Sequence, residues 1–475
     1  MGLLFAWWLA CAPDPGVTVR GGPSLTETGA QTGVSEDSGG DSAWTGETGA
    51  DSAGETGAPP PEPYHGPAAY PPGEVHSPIT PYVLERVQAI VSAGDGAADV
   101  FSKVGDSITV DGDALYCFAG GEVDLAEHAD LDFALQWFNA GDAGGDNPFD
   151  RDSLAALGGK TASWALSGDP SPIEDELAGA APRYALVQFG TNDMNMGTTY
   201  ASALWGYAED MQDLADVIVG HGVVPVFLSI PPRTNQAEAY LWVPTYNAVV
   251  RAVAAHHQVP FVDLHLGLEE LPDFGLHSDG VHLDVLIRDG VARGCILDAE
   301  GLEHGNNTRN LLQLQALDRL QRALDAGVAP DEVDAGGAGV VGSGTSEDPF
   351  LIGELPFSHV ADTSLSSQRA IDRYDGCDAD QDESGAEVVY RLDLDAPTAV
   401  RAMVLDRGDV DLDLHLLEGA VDGDRCVERD HHMVDTTLEP GVWYLVVDTF
   451  VADGEALSGE GMVVVHACVD GDPDC

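Results

Sequence analysis

Short apolar segments alternate with amphipathic ones between about residue 76 and residue 328. Each apolar segment has the length of a strand, and a glycine follows two of them directly. The apolar segments lie at residues 100–104, 184–189, 223–230 and 259–264, and the amphipathic ones at 207–219, 246–256 and 310–324. Continuous apolar strands with helices between them are typical of a parallel sheet that is covered on both faces. This pattern predicts an α/β fold.

The pattern changes after about residue 347, where three segments read as strands. They lie at residues 387–394, 409–416 and 442–448, and Pro440-Gly441 marks a turn before the last one. Short strands at regular spacing predict a C-terminal β-sandwich. The sequence therefore divides into a signal at 1–11, a linker at 12–75, the α/β domain at 76–328, a second linker at 329–346 and an all-β domain at 347–475.

The first residues have the character of an export signal. Met1 to Ala10 is apolar, and the small Ala10 precedes Cys11 as in a bacterial lipobox, so we expect Cys11 to be lipidated. The run lacks a basic start and is short, and a frayed apolar terminus is the alternative. Residues 12–75 are acidic and rich in Gly, Ser, Thr and Pro, and we expect most of them to be disordered.

Charge and cysteine usage agree with an extracytoplasmic location. The chain has 81 acidic and 20 basic residues, giving a formal net charge of −61, which argues against nucleic-acid binding. Besides Cys11 there are six cysteines and no Cys-x-x-Cys motif, so disulfides are expected. Cys117 and Cys295 are the only two in the α/β domain and should pair; separate buried thiols are the alternative.

Three loops carry the residues that suggest chemistry. They contain Gly105-Asp106-Ser107, Gly190-Thr191-Asn192-Asp193 and Asp279-Gly280-Val281-His282. The carboxyl ends of parallel strands meet at one edge of a sheet, where active sites form. We expect Ser107 at or near a helix N-terminus. A carboxylate three residues before a histidine is able to orient its imidazole as a base for a serine.

These motifs, in this order, resemble the GDSL/SGNH hydrolase superfamily over residues 76–328. The resemblance implies a flavodoxin-like three-layer α/β/α parallel sheet, with Ser107 as nucleophile, His282 as base and Asp279 orienting it. It also implies an oxyanion hole made by the Ser107 N–H, the Gly159 N–H and the Asn192 amide, with Gly158 as the alternative to Gly159. It implies no cofactor. Residues 409–417 and 438–445 resemble a bacterial pre-peptidase C-terminal domain.

Several other features favour simpler interpretations. Asp106 and Asp193 are expected to fix loops, and His277 is expected to face solvent. Residues 337–342 match Gly-x-Gly-x-x-Gly but lie between no strand and helix, so they indicate a linker. The acidic run at 378–382 lacks the Gly and Glu spacing of a calcium-binding EF-hand loop, which favours a solvated acidic loop, with calcium binding as the alternative. The α/β domain has no metal-ligand spacing, and we expect no metal at the site.

Together these features predict a carboxylic ester hydrolase on the bacterial cell envelope. Its substrate would be an oxygen ester of an acetylated glycan, a lipid or a small acyl group. The membrane would be reached through the lipid anchor only, with the outer membrane favoured by Ala12 after Cys11 and a fully extracellular location as the alternative. The rival hypothesis is a catalytically inactive surface-binding lipoprotein with the same fold.

Overall fold

The computed structural model describes residues 66–331, 339–378, 381–473 and 475. Cys11 and the linker up to residue 65 lie outside the described residues. The folded part begins earlier than the predicted boundary at residue 76. The backbone N–H of Ala68 donates to Gln258 Oε1 at 2.6 Å, and the Tyr70 hydroxyl donates to the Val259 carbonyl at 2.6 Å. Both side chains are buried, so this end of the predicted linker packs against the α/β domain.

A four-stranded parallel sheet forms the centre of the α/β domain, as predicted. Its strands pair in sequence order. They are β1 (Ala97–Gly105), β2 (Pro182–Gln188), β3 (Val224–Leu228) and β4 (Phe261–Val262). The burial of nearly every residue in these strands explains why the segments are continuously apolar instead of alternating.

Eight α-helices surround this sheet among the described residues. They are α1 (Pro81–Ala93), α2 (Asp132–Asn139), α3 (Ala162–Ala165), α4 (Pro172–Ala180), α5 (Tyr200–Gly220), α6 (Ala237–His257), α7 (Leu264–Leu268) and α8 (Gly305–Ala326). α8 begins before the predicted Asn310, because its polar first turn is buried and bonded to neighbouring loops: Asn307 Nδ2, for example, donates to the Arg293 and Ile296 carbonyls. No described helix combines the length and the apolar character needed to cross a bilayer.

A single β-bridge extends the parallel sheet beyond β1. Gly105 pairs with Ala156 in parallel; its N–H donates to the Ala155 carbonyl at 3.1 Å and its carbonyl accepts from the Leu157 N–H at 3.0 Å. The chain then turns through Gly158 and Gly159. This bridge brings the glycine pair to the same sheet edge as the end of β1.

The C-terminal region is an antiparallel sandwich, as the spacing of its strands predicts. The strands of one sheet are, in order, β13 (Met433–Leu438), β10 (Thr398–Asp406), β17 (Glu460–Ala467) and β8 (Phe357–Asp362). Those of the other are, in order, β12 (Cys426–Asp430), β11 (Leu412–Glu418), β14 (Gly441–Thr449), β9 (Val388–Leu394) and β7 (Phe350–Ile352). A two-residue hairpin, β5–β6, lies in the α/β domain at Ile287–Arg288 and Val291–Ala292. A separate two-stranded ribbon pairs β15 (Val451–Ala452) with β16 (Glu455–Ala456).

The sandwich packs directly on helix α6 of the α/β domain. Arg401 of β10 is fully buried there, with its guanidinium 3.8 Å from the centre of the Trp242 ring. Its Nη1 donates to Thr245 Oγ1 at 2.8 Å, and its Nε donates to Asp435 Oδ1 at 2.6 Å. A buried cation that has both an aromatic face and a carboxylate as partners has its desolvation offset.

Three disulfides join the six described cysteines. Cys117 pairs with Cys295, as predicted for the α/β domain. In the C-terminal region Cys377 pairs with Cys426, and Cys468 with Cys475. The first bond links the loop after β1 to the segment that follows His282, and so connects two of the loops with predicted site residues.

Candidate active site

Ser107 lies on a tight turn directly after β1. Gly105 ends the strand where there is no room for a side chain, since an added Cβ would lie 2.5 Å from the Gln188 carbonyl oxygen. The N–H groups of Thr109 and Val110 both donate to the Asp106 carbonyl at 3.1 Å. Residues 107–110 form a turn and no helix, so the prediction that Ser107 lies at or near a helix N-terminus is wrong. The turn still leaves Ser107 partly exposed between buried neighbours.

Ser107, His282 and Asp279 form one chain of hydrogen bonds. His282 Nε2 lies 2.9 Å from Ser107 Oγ, and His282 Nδ1 lies 2.7 Å from Asp279 Oδ2. The other carboxylate oxygen of Asp279 accepts from the N–H groups of Val281 and His282, each at 3.0 Å. Partial burial opposes the ionised form, but these bonds outweigh it and lower the pKa of Asp279. The carboxylate is therefore ionised and fixed towards the imidazole.

The loop that carries His282 is held by its own backbone. The His277 N–H donates to the His282 carbonyl at 2.7 Å, and the Thr234 N–H donates to the Gly280 carbonyl at 2.9 Å. Gly280 has φ +68°, and an added Cβ would lie 2.7 Å from Thr234 Oγ1. The His277 ring is exposed and contacts Ser278, as expected for a loop residue that faces solvent.

Asn192 lies on the loop after β2, and its amide points towards the Ser107 turn. Its Nδ2 donates to Asp106 Oδ2 at 3.0 Å and to the Lys160 carbonyl at 3.1 Å. Asp106 is 1% exposed, and its other oxygen accepts from the Ile108 N–H at 2.9 Å. The Asp106 carboxylate thus connects the amide to the nucleophile turn, which is the loop-fixing role expected for it.

The glycine pair follows the β-bridge and lies beside the nucleophile. An added Cβ at Gly158 would be 3.8 Å from the Ser107 Cβ, whereas Gly159 has φ +75° and open space at that position. Among the described residues, the N–H groups of Ser107 and Gly159 donate to no protein acceptor. The oxyanion hole of Ser107, Gly159 and Asn192 stays a prediction, and Gly158 stays the alternative to Gly159.

Asp193 fixes the loop after β2, as expected. Its Oδ1 accepts from the Ala162 N–H at 2.8 Å, and its Oδ2 accepts from the Gly190 N–H at 2.9 Å. Burial raises the pKa of Asp193 to about 6, and burial likewise raises the pKa of Asp106 to about 6. Two buried carboxyl groups therefore lie behind the surface that presents Ser107 and Asn192.

Two arginines support these loops and were not identified from the sequence. Arg309 of α8 is fully buried, and its Nη1 donates to the Ile108 carbonyl at 2.6 Å. Arg233 is 4% exposed, and its Nη1 donates to the Thr191 carbonyl at 2.9 Å. Arg233 lies in no motif. Arg309 lies in residues 305–310, near the end of the region that resembles the GDSL/SGNH superfamily, and that resemblance assigned no role to it.

Residues 104–286 match the family described as GDSL-like Lipase/Acylhydrolase. This segment has a GDSL-like fold, built on the parallel sheet β1–β4. The matched segment includes Ser107, Asn192, Asp279 and His282. No curated protein matches the sequence significantly.

Solved structures with similarity to the chain include both GDSL-like enzymes and a separate C-terminal module. A GDSL-like lipase from Bacteroides thetaiotaomicron is 16% identical, with 50% of this chain and 97% of that chain covered and a TM-score of 0.31. A two-domain esterase active on acetylated mannans is 12% identical, with 86% and 99% covered and a TM-score of 0.31. The pre-peptidase C-terminal domain of a Bacillus anthracis collagenase is 15% identical, with 23% and 89% covered and a TM-score of 0.16.

Proposed function

We propose that this chain is a serine esterase that hydrolyses oxygen esters, with Ser107 as nucleophile. The observation that carries the proposal is the continuous hydrogen-bonded chain from Ser107 Oγ through the His282 ring to the Asp279 carboxylate. A serine hydroxyl is a weak nucleophile until an adjacent base takes its proton. His282 has that position, and Asp279 fixes the ring so that Nε2 faces the hydroxyl.

The reaction would proceed in two halves. Ser107 Oγ bonds to the ester carbonyl carbon while His282 Nε2 takes the hydroxyl proton. The tetrahedral intermediate then releases the alcohol, which leaves with the proton from His282, and an acyl-Ser107 ester remains. A water molecule attacks that ester and gives a proton to His282, and the carboxylic acid leaves as Ser107 regains its proton. The N–H groups of Ser107 and Gly159 and the Asn192 amide would stabilise the oxyanion.

We propose an acyl group of short length on a bulky or polar alcohol, such as an acetylated glycan. The His282 and Asp279 side chains are 39% and 47% exposed, so the reacting centre is open to solvent at one side. An open site favours an ester carried on a large molecule over a long acyl chain, which would need an apolar tunnel to bury it. The excess of acidic residues disfavours anionic substrates.

The test combines an active-site probe with a substrate series. A fluorophosphonate should label the wild type at Ser107, because only an activated serine reacts. Acetyl, butyryl and octanoyl esters of 4-nitrophenol and acetylated xylan would then be compared. Absence of labelling and of hydrolysis would favour the inactive surface-binding alternative, and faster turnover of octanoyl than acetyl esters would contradict the substrate proposal.

We also propose that the chain is anchored to the cell envelope through a lipid on Cys11. The apolar run before Cys11 and the long acidic, Gly- and Ser-rich segment after it support an exported protein held away from a membrane. The N-terminal peptide of protein recovered from its native host should carry a diacylglycerol mass on Cys11. An unmodified Cys11 in that peptide would contradict the anchor.

A further inference from the structure

The first turns of helix α8 contact both loops that carry the reacting groups. Asn306 and Arg309 are three residues apart in this helix, so their side chains lie on the same face. Asn306 Nδ2 donates to the carbonyl of Leu283, the residue directly after the base, at 3.1 Å. Arg309 Nη1 donates to the carbonyl of Ile108, the residue directly after the nucleophile, at 2.6 Å. One face of one helix therefore holds the backbone beside each reacting group.

Further hydrogen bonds attach the segment after the base to the start of α8. The Gly305 N–H donates to Asp284 Oδ1 at 2.7 Å, and the Asn306 N–H donates to the Asp284 carbonyl at 2.8 Å. His304 Nδ1 lies 2.6 Å from the other carboxylate oxygen of Asp284. The backbone and the side chain of Asp284 are both fixed to the helix, and Asp284 is only two residues beyond His282.

On the nucleophile side, both backbone polar groups of Ile108 are bonded to side chains. Its N–H donates to Asp106 Oδ1 at 2.9 Å, and its carbonyl accepts the bond from Arg309. The second oxygen of Asp106 accepts from the Asn192 amide at 3.0 Å. Arg309 is therefore the contact through which the Ser107 turn is attached to the helix that also holds the base.

Arg309 is a costly residue for the stability of the fold. Its side chain is 1% exposed, and its Nε has no hydrogen-bond acceptor among the described residues. Burial lowers the pKa of Arg309 to about 10, although the charges of Asp111 and Asp106 favour the cation. A buried cation with incomplete hydrogen bonding costs free energy of folding. Stability alone therefore does not explain why a guanidinium instead of an apolar side chain occupies this place.

We propose that Arg309 is a positioning residue which, together with Asn306, sets the distance between Ser107 Oγ and His282 Nε2. The inference rests on the proposed function, because that distance matters only where Ser107 is the nucleophile. Arg309 acts through the Ile108 carbonyl and contacts no reacting atom. Proton transfer to a base needs hydrogen-bond distance, so a Ser107 turn released from α8 loses part of its activation even when the fold is unchanged.

The experiment measures the kinetics and the melting temperature of Arg309→Met in the full chain. This substitution keeps a long side chain and removes the charge and the bond to Ile108. We expect kcat for a chromogenic acetyl ester to fall by about a hundredfold with KM nearly unchanged, because a misplacement of about 1 Å costs on that order. The melting temperature should be at least that of the wild type, since an apolar group replaces a buried charge. Arg309→Lys keeps a donor and a charge and should recover part of kcat.

Arg319→Met is the matched control. Arg319 lies on the same helix, and its Nη1 also donates to a backbone carbonyl, that of Ser77 in the segment before α1, at 3.2 Å. The same substitution there removes a comparable bond without touching either catalytic loop. Its kcat should equal that of the wild type, whatever its melting temperature.

Two results would overturn the positioning role. One is an Arg309→Met variant that is folded by circular dichroism and has the kcat of Arg319→Met. The other is a loss of kcat that parallels a loss of melting temperature and is not recovered in Arg309→Lys, which would make Arg309 a structural residue. Where Arg309→Met fails to fold, Asn306→Ala decides, since it removes the bond on the base side: a lower kcat at unchanged KM supports the proposal, and a wild-type kcat overturns it.

Fluorophosphonate labelling separates this failure from failure of the proposed function. A wild type that is neither labelled at Ser107 nor active would overturn the esterase, and the positioning role with it. A labelled, active wild type beside an equally active Arg309→Met variant would overturn the positioning role alone.

Discussion

His282 Nε2 lies 2.9 Å from Ser107 Oγ, although 175 residues separate them in the chain. The parallel sheet accounts for this approach. Ser107 follows β1 directly, and the His282 loop lies beyond β4, bonded by its backbone to the segment after β3 at Thr234. A base that is built from a distant loop depends on the fold for its position, so substitutions of the two residues test both chemistry and architecture.

Ser107→Ala should abolish ester hydrolysis and leave the fold intact, because it removes one partly exposed hydroxyl whose partner is the solvent-accessible His282 ring. The measurement is steady-state hydrolysis of a chromogenic acetyl ester, with circular dichroism as the check on folding. Ser278→Ala, an exposed serine on the His282 loop, should retain wild-type activity. Residual activity of Ser107→Ala within tenfold of wild type would mean that another nucleophile acts.

His282→Ala should be nearly as damaging as Ser107→Ala, since the hydroxyl would lose its base. Asp279→Asn should be milder, because this carboxylate only orients the ring and is 47% exposed, where water is able to replace it. His277→Ala is the control and should retain activity, because its ring is exposed and its Nδ1 bonds to the neighbouring Ser278. Equal losses for His277→Ala and His282→Ala would contradict the assignment of the base.

Asn192→Ala should lower kcat by about two to three orders of magnitude with little change in KM. Both hydrogens of Nδ2 have protein acceptors, Asp106 and the Lys160 carbonyl, so binding of an oxyanion replaces one of these bonds. Asn195→Ala, an exposed amide on the same loop, should have kinetics like the wild type. A rise in KM alone would show that Asn192 binds substrate instead of stabilising the transition state.

The sequence was sufficient to predict which loops meet at the site. Apolar strands that are followed by Gly105 and Gly190 end at one edge of a parallel sheet, and this rule places Ser107 and Asn192 together without any knowledge of distances. His282 follows no long strand, and only its resemblance to a family motif assigned it to the same edge.

The supporting contacts were beyond sequence reasoning because they depend on tertiary packing. Nothing local to Arg309 indicates that its guanidinium bonds to the Ile108 carbonyl, and nothing local to Arg401 indicates that it packs on Trp242. A local hydrogen bond explains why no helix begins at Ser107. Asp106 accepts the Ile108 N–H, and this side-chain bond competes with helix formation.

The Cys117–Cys295 bond should contribute more to the thermal stability of the active enzyme than the Cys377–Cys426 bond. It joins residues that are 178 apart in the chain, whereas the other bond joins residues that are 49 apart. Closing a longer loop removes more conformational entropy from the unfolded chain, and a native disulfide adds about 2–5 kcal/mol to the free energy of unfolding. The test compares two variants, in each of which both cysteines of one pair are replaced by alanine, by following the loss of esterase activity on heating. Inactivation of both variants at the same temperature would contradict this expectation.

The pH dependence of stability should reveal the buried Asp106. Burial raises the pKa of Asp106 from 3.8 to about 6, so between these values the native state binds a proton that the unfolded state has lost. The contribution of Asp106 to the free energy of unfolding is therefore fully present below about pH 4. It is lost as the pH rises through 6, and the loss amounts to about 3 kcal/mol. Asp106→Asn lacks this titration, and its stability relative to wild type should increase by about that amount from pH 4 to pH 7.

Denaturant unfolding, monitored by the loss of the near-ultraviolet signal of the native protein, gives the free energy of unfolding of the wild type and of Asp106→Asn at each pH. Asp279→Asn supplies a control of opposite sign. The pKa of Asp279 is lowered in the native state, so its contribution is present at neutral pH and is lost as pH falls. The Asp279→Asn curve should therefore approach the wild type at low pH, where the Asp106→Asn curve is at its lowest relative to wild type. Parallel curves for Asp106→Asn and wild type across this range would show that Asp106 is ionised in the native protein with its ordinary pKa, and that its bonds to Ile108 and Asn192 outweigh its burial.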